Sequence, residues 1–232
     1  RLPWIADFRD PMLFGFQPKV RPLLAPAARL MLSSASHVVN VTPRCVELDR
    51  ALFRRPTTLI TNGFDPDDYT GPAPPRSHNE FRIAYTGSLQ LPEGLRVFMK
   101  GLAKLRERVG HARFGHVRFM YRGNASALAR RVAEDVGVAM ALDAGEHLPR
   151  AEVIALIRSA HLLLVLSTPE MSKRDPYWAQ GVYPGKTFEY IGAQRPILCV
   201  PGDGAMLISG PWTNTTYSAS RSLQIRARLL IA

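Results

Sequence analysis

The sequence of 232 residues contains only two cysteines, Cys45 and Cys199, and they lie too far apart to form a metal-binding cysteine motif. Free thiols are typical of the reducing cytoplasm, and we expect the protein to work there. The six histidines are scattered without the spacing of metal ligands, so no metal site is predicted. No apolar run approaches the roughly 18 residues needed to cross a membrane, and the first residues do not resemble a signal peptide.

Acidic residues are also few, with 19 Asp and Glu against 30 Lys and Arg, which gives a net charge of +11. This excess predicts an anionic partner, and composition leaves open nucleic acid, an anionic membrane surface and a phosphorylated small molecule. The basic residues are spread through predicted helices and form no stripe with aromatic residues along one face. That distribution argues against nucleic acid as the partner.

The chain alternates short β-branched or apolar runs with longer segments at helical spacing. The predicted strands are residues 3–8, 37–42, 57–61, 81–86, 116–121, 138–142, 162–166 and 196–200. The predicted helices are residues 22–36, 43–52, 93–109, 125–136, 150–160 and 184–193. Such alternation predicts an α/β fold of Rossmann-like, doubly wound parallel sheets with helices on both faces.

A proline-rich stretch separates two blocks of this alternation. Residues 65–79 contain four prolines and little that is apolar, which is typical of a linker. We therefore predict a partial N-terminal domain over residues 1–70, a linker over 71–80 and a second domain over 81–205. The remaining residues, 206–232, form a tail for which no structure is predicted.

Polar residues that follow predicted strands are the first candidates for a site, because ligands of parallel sheets bind beyond the carboxyl ends of the strands. Gly87 and Ser88 follow the strand at 81–86, and a glycine there lets the backbone approach a ligand closely. Arg122 and Gly123 end the next strand, and the guanidinium suits phosphate oxygens. The alternative is an ordinary turn with a surface arginine.

Residues 183–190, with the sequence YPGKTFEY, carry the most informative motif. Pro184 and Gly185 begin the predicted helix, and Lys186 and Glu189 share one face of its first turn. Free amide groups, the helix dipole and the ammonium would together suit a diphosphate, while the carboxylate could accept hydrogen bonds from ribose hydroxyls. The alternative is a solvated ion pair in which Thr187 merely completes a chance Gly-Lys-Thr sequence.

Three charged residues, Asp7, Arg9 and Asp10, lie at the end of the first predicted strand. They either contact a substrate or form a buried ion pair that holds the loop, and the sequence leaves both explanations open.

Taken in order along the chain, five segments resemble family-4 glycosyltransferases of the GT-B type, in which two Rossmann-like domains face each other. The resemblance extends over about residues 3–204 and is to bacterial polysaccharide-biosynthesis members. The segments are 4–11 (WIADFRDP), 41–43 (VTP), 60–66 (ITNGFDP), 84–89 (AYTGSL) and 184–190 (PGKTFEY), the last followed by 195–198 (RPIL).

The resemblance implies that a sugar moves from a nucleoside-diphosphate sugar to a polysaccharide or lipid-linked acceptor, with retention of configuration and without a metal or other cofactor. It implies that Arg122 and Lys186 are catalytic, because they would neutralise the diphosphate. The implied donor-binding residues are Gly87, Ser88, Gly123, Gly185, Thr187 and Glu189, and the acceptor-side residues are Asp7, Arg9 and Asp10. A lipid-linked acceptor would suit a protein in peripheral contact with the anionic inner face of the membrane.

The sequence departs from the family pattern at two places. Gly181 replaces a glutamate that often precedes Glu189, and Pro92-Glu93 stands where a lysine often follows the first glycine loop. The N-terminal domain is also incomplete, so we expect a fragment, and a fragment can bind a nucleotide without catalysing transfer. The alternative functions are a nucleotide-sugar epimerase of the same architecture and a non-catalytic nucleotide-binding module.

Overall fold

A computed structural model describes residues 2–13, 16–89, 92–166, 184–200 and 216–218. The chain divides into two compact units, which are described separately below. The first comprises Arg1–Asp65 and Pro169–Glu189, and the second comprises Pro66–Thr168 and Tyr190–Ala232. Within the described ranges, no helix is both long enough and apolar enough to cross a bilayer.

The first unit is built on a parallel sheet of three strands in the order β1-β2-β3. Its elements are β1 (Ile5–Asp7), α1 (Arg21–Met31), β2 (His37–Asn40), α2 (Pro43–Phe53) and β3 (Thr57–Leu59). Thr42 caps α2, because its hydroxyl accepts a hydrogen bond of 3.1 Å from the amide of Cys45, and Pro43 begins the helix. The helix predicted over residues 43–52 is thus confirmed.

The second unit contains a parallel sheet of six strands in the order β6-β5-β4-β7-β8-β9. The strands are β4 (Phe81–Thr86), β5 (Val117–Arg122), β6 (Leu142–Gly145), β7 (Leu162–Leu166), β8 (Ile197–Val200) and β9 (Thr216–Ser218). The helices are α3 (Pro92–Phe114), α4 (Ser126–Asp135), α5 (Arg150–Ser159) and α6 (Lys186–Gly192), and the boundary between the units falls within α6, after Glu189. This strand order is that of doubly wound Rossmann sheets, so the predicted fold class is confirmed.

Successive residues of the central strands enter two different cores, as the period of two requires. Ile83 and Tyr85 of β4 belong to a core with residues of α3 and α4, whereas Ala84 belongs to a core with residues of α5. The carboxyl ends of the strands are therefore held on a sheet that is packed on both faces.

The prediction of a strand over residues 138–142 was wrong. Gly137 adopts a φ of +73°, and the amide of Val138 turns back to donate to the carbonyl of Ala133. A 3-10 turn over Ala139–Ala141 follows, and β6 begins only at Leu142, where pairing with β5 starts. The segment Pro92–Phe114 is interrupted at Gly110, whose φ of +80° and ψ of +161° are not helical, so the helix predicted over residues 93–109 is confirmed. Another difference is that β9 lies in the tail for which no strand was predicted.

Candidate functional site

The six-stranded sheet has a topological switch point between β4 and β7, where the strand order reverses. Ligands of such sheets bind in the crevice outside the carboxyl ends of the strands at this point. The loop after β7 and the predicted site position Gly181 lie outside the described residues. The described part of the edge is formed by the residues that follow β4, β5 and β6.

Two glycines pack backbone against backbone at this edge. Gly87 has a φ of +95°, which side-chain-bearing residues rarely adopt, and its amide donates a hydrogen bond of 2.8 Å to the carbonyl of Arg122. A Cβ atom on Gly123 would lie 2.1 Å from the carbonyl oxygen of Gly87, far inside van der Waals contact. The two predicted glycine positions are therefore brought together, and the contact leaves no room for a side chain on Gly123.

Two stacked tyrosines support the loop that contains Gly87. Tyr85 and Tyr121 are register partners on β4 and β5, with ring centroids 5.4 Å apart and planes 7° from parallel. The Tyr85 hydroxyl donates a hydrogen bond of 2.8 Å to the carbonyl of Ser88, and burial raises the pKa of Tyr85. Asn124 supports the same loop, because its side-chain oxygen accepts a bond of 2.9 Å from the amide of Leu89.

These supporting residues were missed in the sequence analysis. The available signal for Tyr85 and Tyr121 was a tyrosine in the last two positions of each of two consecutive predicted strands. That signal becomes informative only when the two strands are known to be neighbours in register.

The guanidinium of Arg122 is engaged within the sheet. It forms an ion pair of 2.8 Å with the carboxylate of Asp143 and donates to the carbonyl oxygens of Asp143 and Tyr121 at 2.8 and 3.0 Å. The Arg122 side chain is 16% exposed. A contact with phosphate would therefore require this guanidinium to exchange Asp143 for the ligand.

Helix α6 carries the predicted residues Lys186, Thr187 and Glu189 in its first turn, and Gly185 precedes it with open space around its Cα. Burial lowers the pKa of Lys186 to about 7, and the charge of Glu189 opposes this shift. Within the described part of the chain, the Thr187 hydroxyl is buried and has no hydrogen-bond partner.

Tyr190, on the same helix, bonds directly to the end of β4. Its hydroxyl accepts a hydrogen bond of 3.0 Å from the amide of Thr86 and lies 3.3 Å from the Thr86 hydroxyl. Tyr190 is fully buried. The sequence analysis quoted this tyrosine in the motif but assigned it no role.

In the first unit, polar residues also lie at the carboxyl edge of the sheet. Arg9 donates a hydrogen bond of 2.6 Å to the side-chain oxygen of Asn62 and forms an ion pair of 3.3 Å with Asp7. Both charged side chains are more than half exposed, so this is a surface ion pair, and it links the loop after β1 to the loop after β3. Asp10 is likewise exposed, and Asn62 was not predicted as a partner.

A buried polar pair lies beside this edge, at the end of β2. The amide group of Asn40 donates a hydrogen bond of 2.6 Å to the carboxyl of Asp49, and both residues are at most 1% exposed. Burial raises the pKa of Asp49 to about 6, against the opposing effect of the Asn40 hydrogen bond. The side-chain oxygen of Asn40 in turn accepts from the amide of Val41, which fixes the chain where it leaves β2.

A second polar surface lies on the second sheet, away from the glycine loops. Arg82 and Arg118 share the carboxylate of Glu80, at 3.0 and 3.2 Å, and this lowers the pKa of Glu80. With Met120 and Asp143 they line an open groove of about 390 Å³. Among the described residues, no group of three histidine, cysteine or acidic side chains could hold a metal ion.

No protein-family model and no curated protein sequence matches this chain. Solved structures do match it. Anabaena Alr3699/HepE, solved with UDP and glucose, is 15% identical with a TM-score of 0.59, and the match covers 85% of this chain and 52% of that one. Sucrose-phosphate synthase from Thermosynechococcus elongatus is 12% identical with a TM-score of 0.58, over 86% and 50% of the two chains.

The pneumococcal O-GlcNAc transferase GtfA, solved with UDP and GlcNAc, is 12% identical with a TM-score of 0.53, over 84% of this chain and 36% of that one. These structures are GT-B glycosyltransferases, and the chain shares their fold over the part that it covers. It spans about half of their length or less.

Proposed function

We propose that this chain is part of a glycosyltransferase and binds a nucleoside-diphosphate sugar at the carboxyl edge of the six-stranded sheet. The observation that carries the proposal is the contact between Gly87 and Gly123, which follow β4 and β5, at the carboxyl edge of that sheet and beside its switch point. Bare backbone at this position suits the close approach of a diphosphate. The presence of UDP in two of the similar structures supports the same assignment.

The proposed chemistry is transfer with retention of configuration and without a metal. Departure of the nucleoside diphosphate builds negative charge on its oxygens, and preorganised cations would stabilise that charge. On the basis of the family resemblance, Lys186 and Arg122 supply these cations, and Glu189 holds the ribose. Gly185, Ser88 and Thr187 complete the proposed donor-binding set.

The proposed acceptor is a polysaccharide or a lipid-linked saccharide, and the first unit would contact it. The exposed carboxylates of Asp7 and Asp10 can accept hydrogen bonds from sugar hydroxyls, and the Arg9 guanidinium can donate to them. The bond between Arg9 and Asn62 supports this role, because it fixes the position of the guanidinium.

A non-catalytic nucleotide-binding module is the second candidate. The observation that favours it is the engagement of the Arg122 guanidinium with Asp143, because one of the two proposed diphosphate cations is then paired within the sheet. The two candidates differ in one measurement, the release of UDP from a UDP-sugar in the presence of an acceptor saccharide.

The test of the donor site is calorimetric titration with UDP, GDP, ADP and UDP-glucose. We expect one of them to bind more tightly than millimolar, and Lys186→Ala to weaken it by about 1.5–3 kcal/mol, the scale of a hydrogen bond to a charged group. Lys104→Ala, which removes an exposed lysine of α3, is the matched control and should bind like the wild type. Absence of binding by all four ligands would refute the proposed donor site.

A pH series separates a charge contribution of Lys186 from a packing contribution. Because burial lowers the pKa of Lys186 to about 7, the ammonium loses its proton as the pH rises through that value. The affinity for UDP-glucose, whose diphosphate carries no titrating proton near neutral pH, should fall between about pH 6 and pH 9. Lys186→Arg keeps its positive charge over this range and should remove most of the pH dependence of the affinity for UDP-glucose. If the affinity of this variant changes with pH as much as that of the wild type, the charge of Lys186 is not the cause.

A further inference from the structure

Three glycines, Gly87, Gly123 and Gly145, lie at the carboxyl ends of the neighbouring strands β4, β5 and β6. The amide of Gly123 donates a hydrogen bond of 3.1 Å to the carbonyl of Gly145, so the glycine contact described above extends by one strand. This glycine row is backbone without side chains that runs from the proposed diphosphate position to the edge strand β6. Asn124 and Glu146 directly follow its last two members.

Glu146 places a carboxylate at the end of the glycine row. One carboxylate oxygen accepts a hydrogen bond from the hydroxyl of the buried Ser126, and this bond orients the group. Burial raises the pKa of Tyr121, and the charge of Glu146 adds to this shift. Because the Tyr121 hydroxyl lies 3.1 Å from the position of a Cβ atom on Gly123, the carboxylate is close to the row. Glu146 is exposed and forms no ion pair within the described part of the chain.

Asn124 offers a hydrogen-bond donor on the adjacent strand. Its side-chain oxygen accepts a bond of 2.9 Å from the amide of Leu89, which fixes the orientation of the side-chain amide. The NH2 group of Asn124 has no hydrogen-bond partner among the residues that the structure describes, and the residue is exposed. The residues that precede Asn124 and Glu146 are bonded to each other, so this edge combines one free donor with one free carboxylate.

The charge of Glu146 indicates which part of a nucleotide it contacts. A carboxylate does not suit the diphosphate, because the negative charges repel each other. The proposed function assigns the ribose to Glu189, which leaves the base for Glu146. Guanine carries an acceptor, O6, beside two donors, N1–H and the 2-amino group, and this pattern is complementary to the Asn124 amide and the two carboxylate oxygens of Glu146.

We propose that Asn124 and Glu146 select guanine, so that the sugar donor of this chain is a GDP-sugar. Uracil has the oxygen O2 where guanine has its 2-amino group, and this oxygen would repel the Glu146 carboxylate. Adenine has an amino group in place of O6, which would face the NH2 group of Asn124, and an unprotonated N1, which would face Glu146. The proposal rests on the donor site proposed above and adds the identity of the base.

The first test is calorimetric titration of the full 232-residue chain with GDP, IDP, UDP and ADP near neutral pH. IDP lacks only the 2-amino group of GDP, so it isolates one hydrogen bond to Glu146. We expect IDP to bind about tenfold more weakly than GDP, and UDP and ADP about tenfold to a hundredfold more weakly, the effect of a hydrogen bond to a charged group.

This titration separates failure of the base assignment from failure of the donor site. If UDP or ADP binds as tightly as GDP or more tightly, the donor site stands and the selection of guanine is overturned. If none of the four nucleotides binds, the donor site and the base assignment are both refuted.

Glu146→Gln tests the carboxylate. Glutamine keeps an oxygen that can accept from Ser126 and presents an NH2 group in place of the second oxygen. GDP should bind about tenfold or more weakly, whereas UDP should bind at least as well as to the wild type, because the new donor suits its O2. Binding of UDP also reports that the variant is folded. Glu134→Gln, which removes the same charge from an exposed position of α4, is the matched control and should keep the wild-type ratio.

The ratio of the GDP and UDP affinities distinguishes base recognition from a structural role. If Glu146 only stabilises the start of α4 through its negative charge, its substitution changes both affinities equally. A ratio in Glu146→Gln equal to that of the wild type would therefore overturn the proposal.

Asn124→Asp tests the donor. Aspartate keeps the oxygen that accepts from the Leu89 amide but has no NH2 group. Its charge should weaken all nucleotides, yet the ratio of the GDP and ADP affinities should fall about tenfold, because a carboxylate repels guanine O6 and accepts from the adenine amino group. Asn79→Asp adds the same charge at an exposed position that precedes β4 and should keep the ratio. An unchanged ratio in Asn124→Asp would contradict recognition of guanine by the two residues together.

Discussion

At the scale of single residues, the structure holds several groups in states that they do not adopt in a free peptide. Gly87 has a backbone conformation that other residues avoid, Gly123 lies against it without room for a Cβ atom, and Asp49 is a buried carboxyl. Each of these conformations or environments costs folding free energy, which favourable interactions elsewhere in the fold offset. Substitution at these positions should therefore have effects much larger than those of surface changes.

Gly123→Ala should destabilise the second unit. The new methyl group would meet the carbonyl oxygen of Gly87 at 2.1 Å, and that oxygen belongs to backbone that is tied to β5. We expect a loss of about 2–4 kcal/mol in the free energy of unfolding, measured by urea denaturation. Gly101→Ala, in the open interior of α3, is the control and should stabilise by about 0.5–1 kcal/mol. Similar stabilities of the two variants would show that the glycine contact relaxes without cost.

Asp49→Asn should stabilise the first unit at neutral and alkaline pH. Burial raises the pKa of Asp49 to about 6, from its ordinary value of 3.8 in the unfolded chain. Asp49 in the folded protein therefore keeps a proton that the unfolded chain has already released. The contribution of this proton to the free energy of unfolding is complete at low pH and is lost as the pH rises through about 6. Asparagine keeps an oxygen that can accept the Asn40 hydrogen bond and carries no charge.

The measurement is the difference in unfolding free energy between Asp49→Asn and the wild type. It should be about 2 kcal/mol near pH 8 and close to zero near pH 4. Asp135→Asn, at an exposed position of α4, should show no such pH dependence. A difference that is constant with pH would mean that the pKa of Asp49 is the same in the folded and in the unfolded chain.

At the scale of elements, the predictions from sequence succeeded where a local pattern decides the structure. The helix α2 follows from Thr42 and Pro43, and the buried strand β7 follows from an uninterrupted apolar run. The prediction at residues 138–142 failed because the apolar run there packs through a 3-10 turn, and its direction depends on the positive φ of Gly137. Sequence alone does not fix that backbone torsion.

The candidate site likewise has some features that were predicted from the sequence and others that were not. Gly87 and Gly123 were predicted from their positions after strands, and the structure brings them together. The engagement of Arg122 with Asp143 was not predicted, because it depends on the register in which β5 pairs with β6. Residue types at strand ends are thus readable from sequence, whereas partners that are supplied by a neighbouring strand are not.

The cap of α2 offers a test at this scale. Thr42→Ala removes the hydroxyl that accepts from the Cys45 amide and leaves that buried donor without its partner. We expect a loss of about 1 kcal/mol in unfolding free energy, measured by urea denaturation, whereas Thr42→Ser keeps the hydroxyl and should lose less. Equal losses for alanine and serine would assign the effect to the threonine methyl group and not to the cap.

At the scale of the whole molecule, the two sheets present different chemistry at their carboxyl edges. In the second unit the edge carries Gly87 and Gly123, and backbone without side chains suits the close approach of a diphosphate. In the first unit it carries Asp7, Arg9 and Asn62, whose side chains suit the hydroxyls of a saccharide. The net charge of +11 suits the proposed diphosphate, because the diphosphate is anionic.

Hydrogen exchange can determine which edge a nucleotide occupies. If the donor site lies at the six-stranded sheet, saturating UDP or another bound nucleotide should slow exchange in residues 86–89 and 122–126, because amides that contact the ligand are withdrawn from water. Residues 7–10, 40–42 and 59–62 of the first unit should change much less. Protection confined to those segments of the first unit would place the nucleotide at the carboxyl edge of the three-stranded sheet. That result would contradict the proposed division between donor and acceptor sides, even if the affinity for the nucleotide were high.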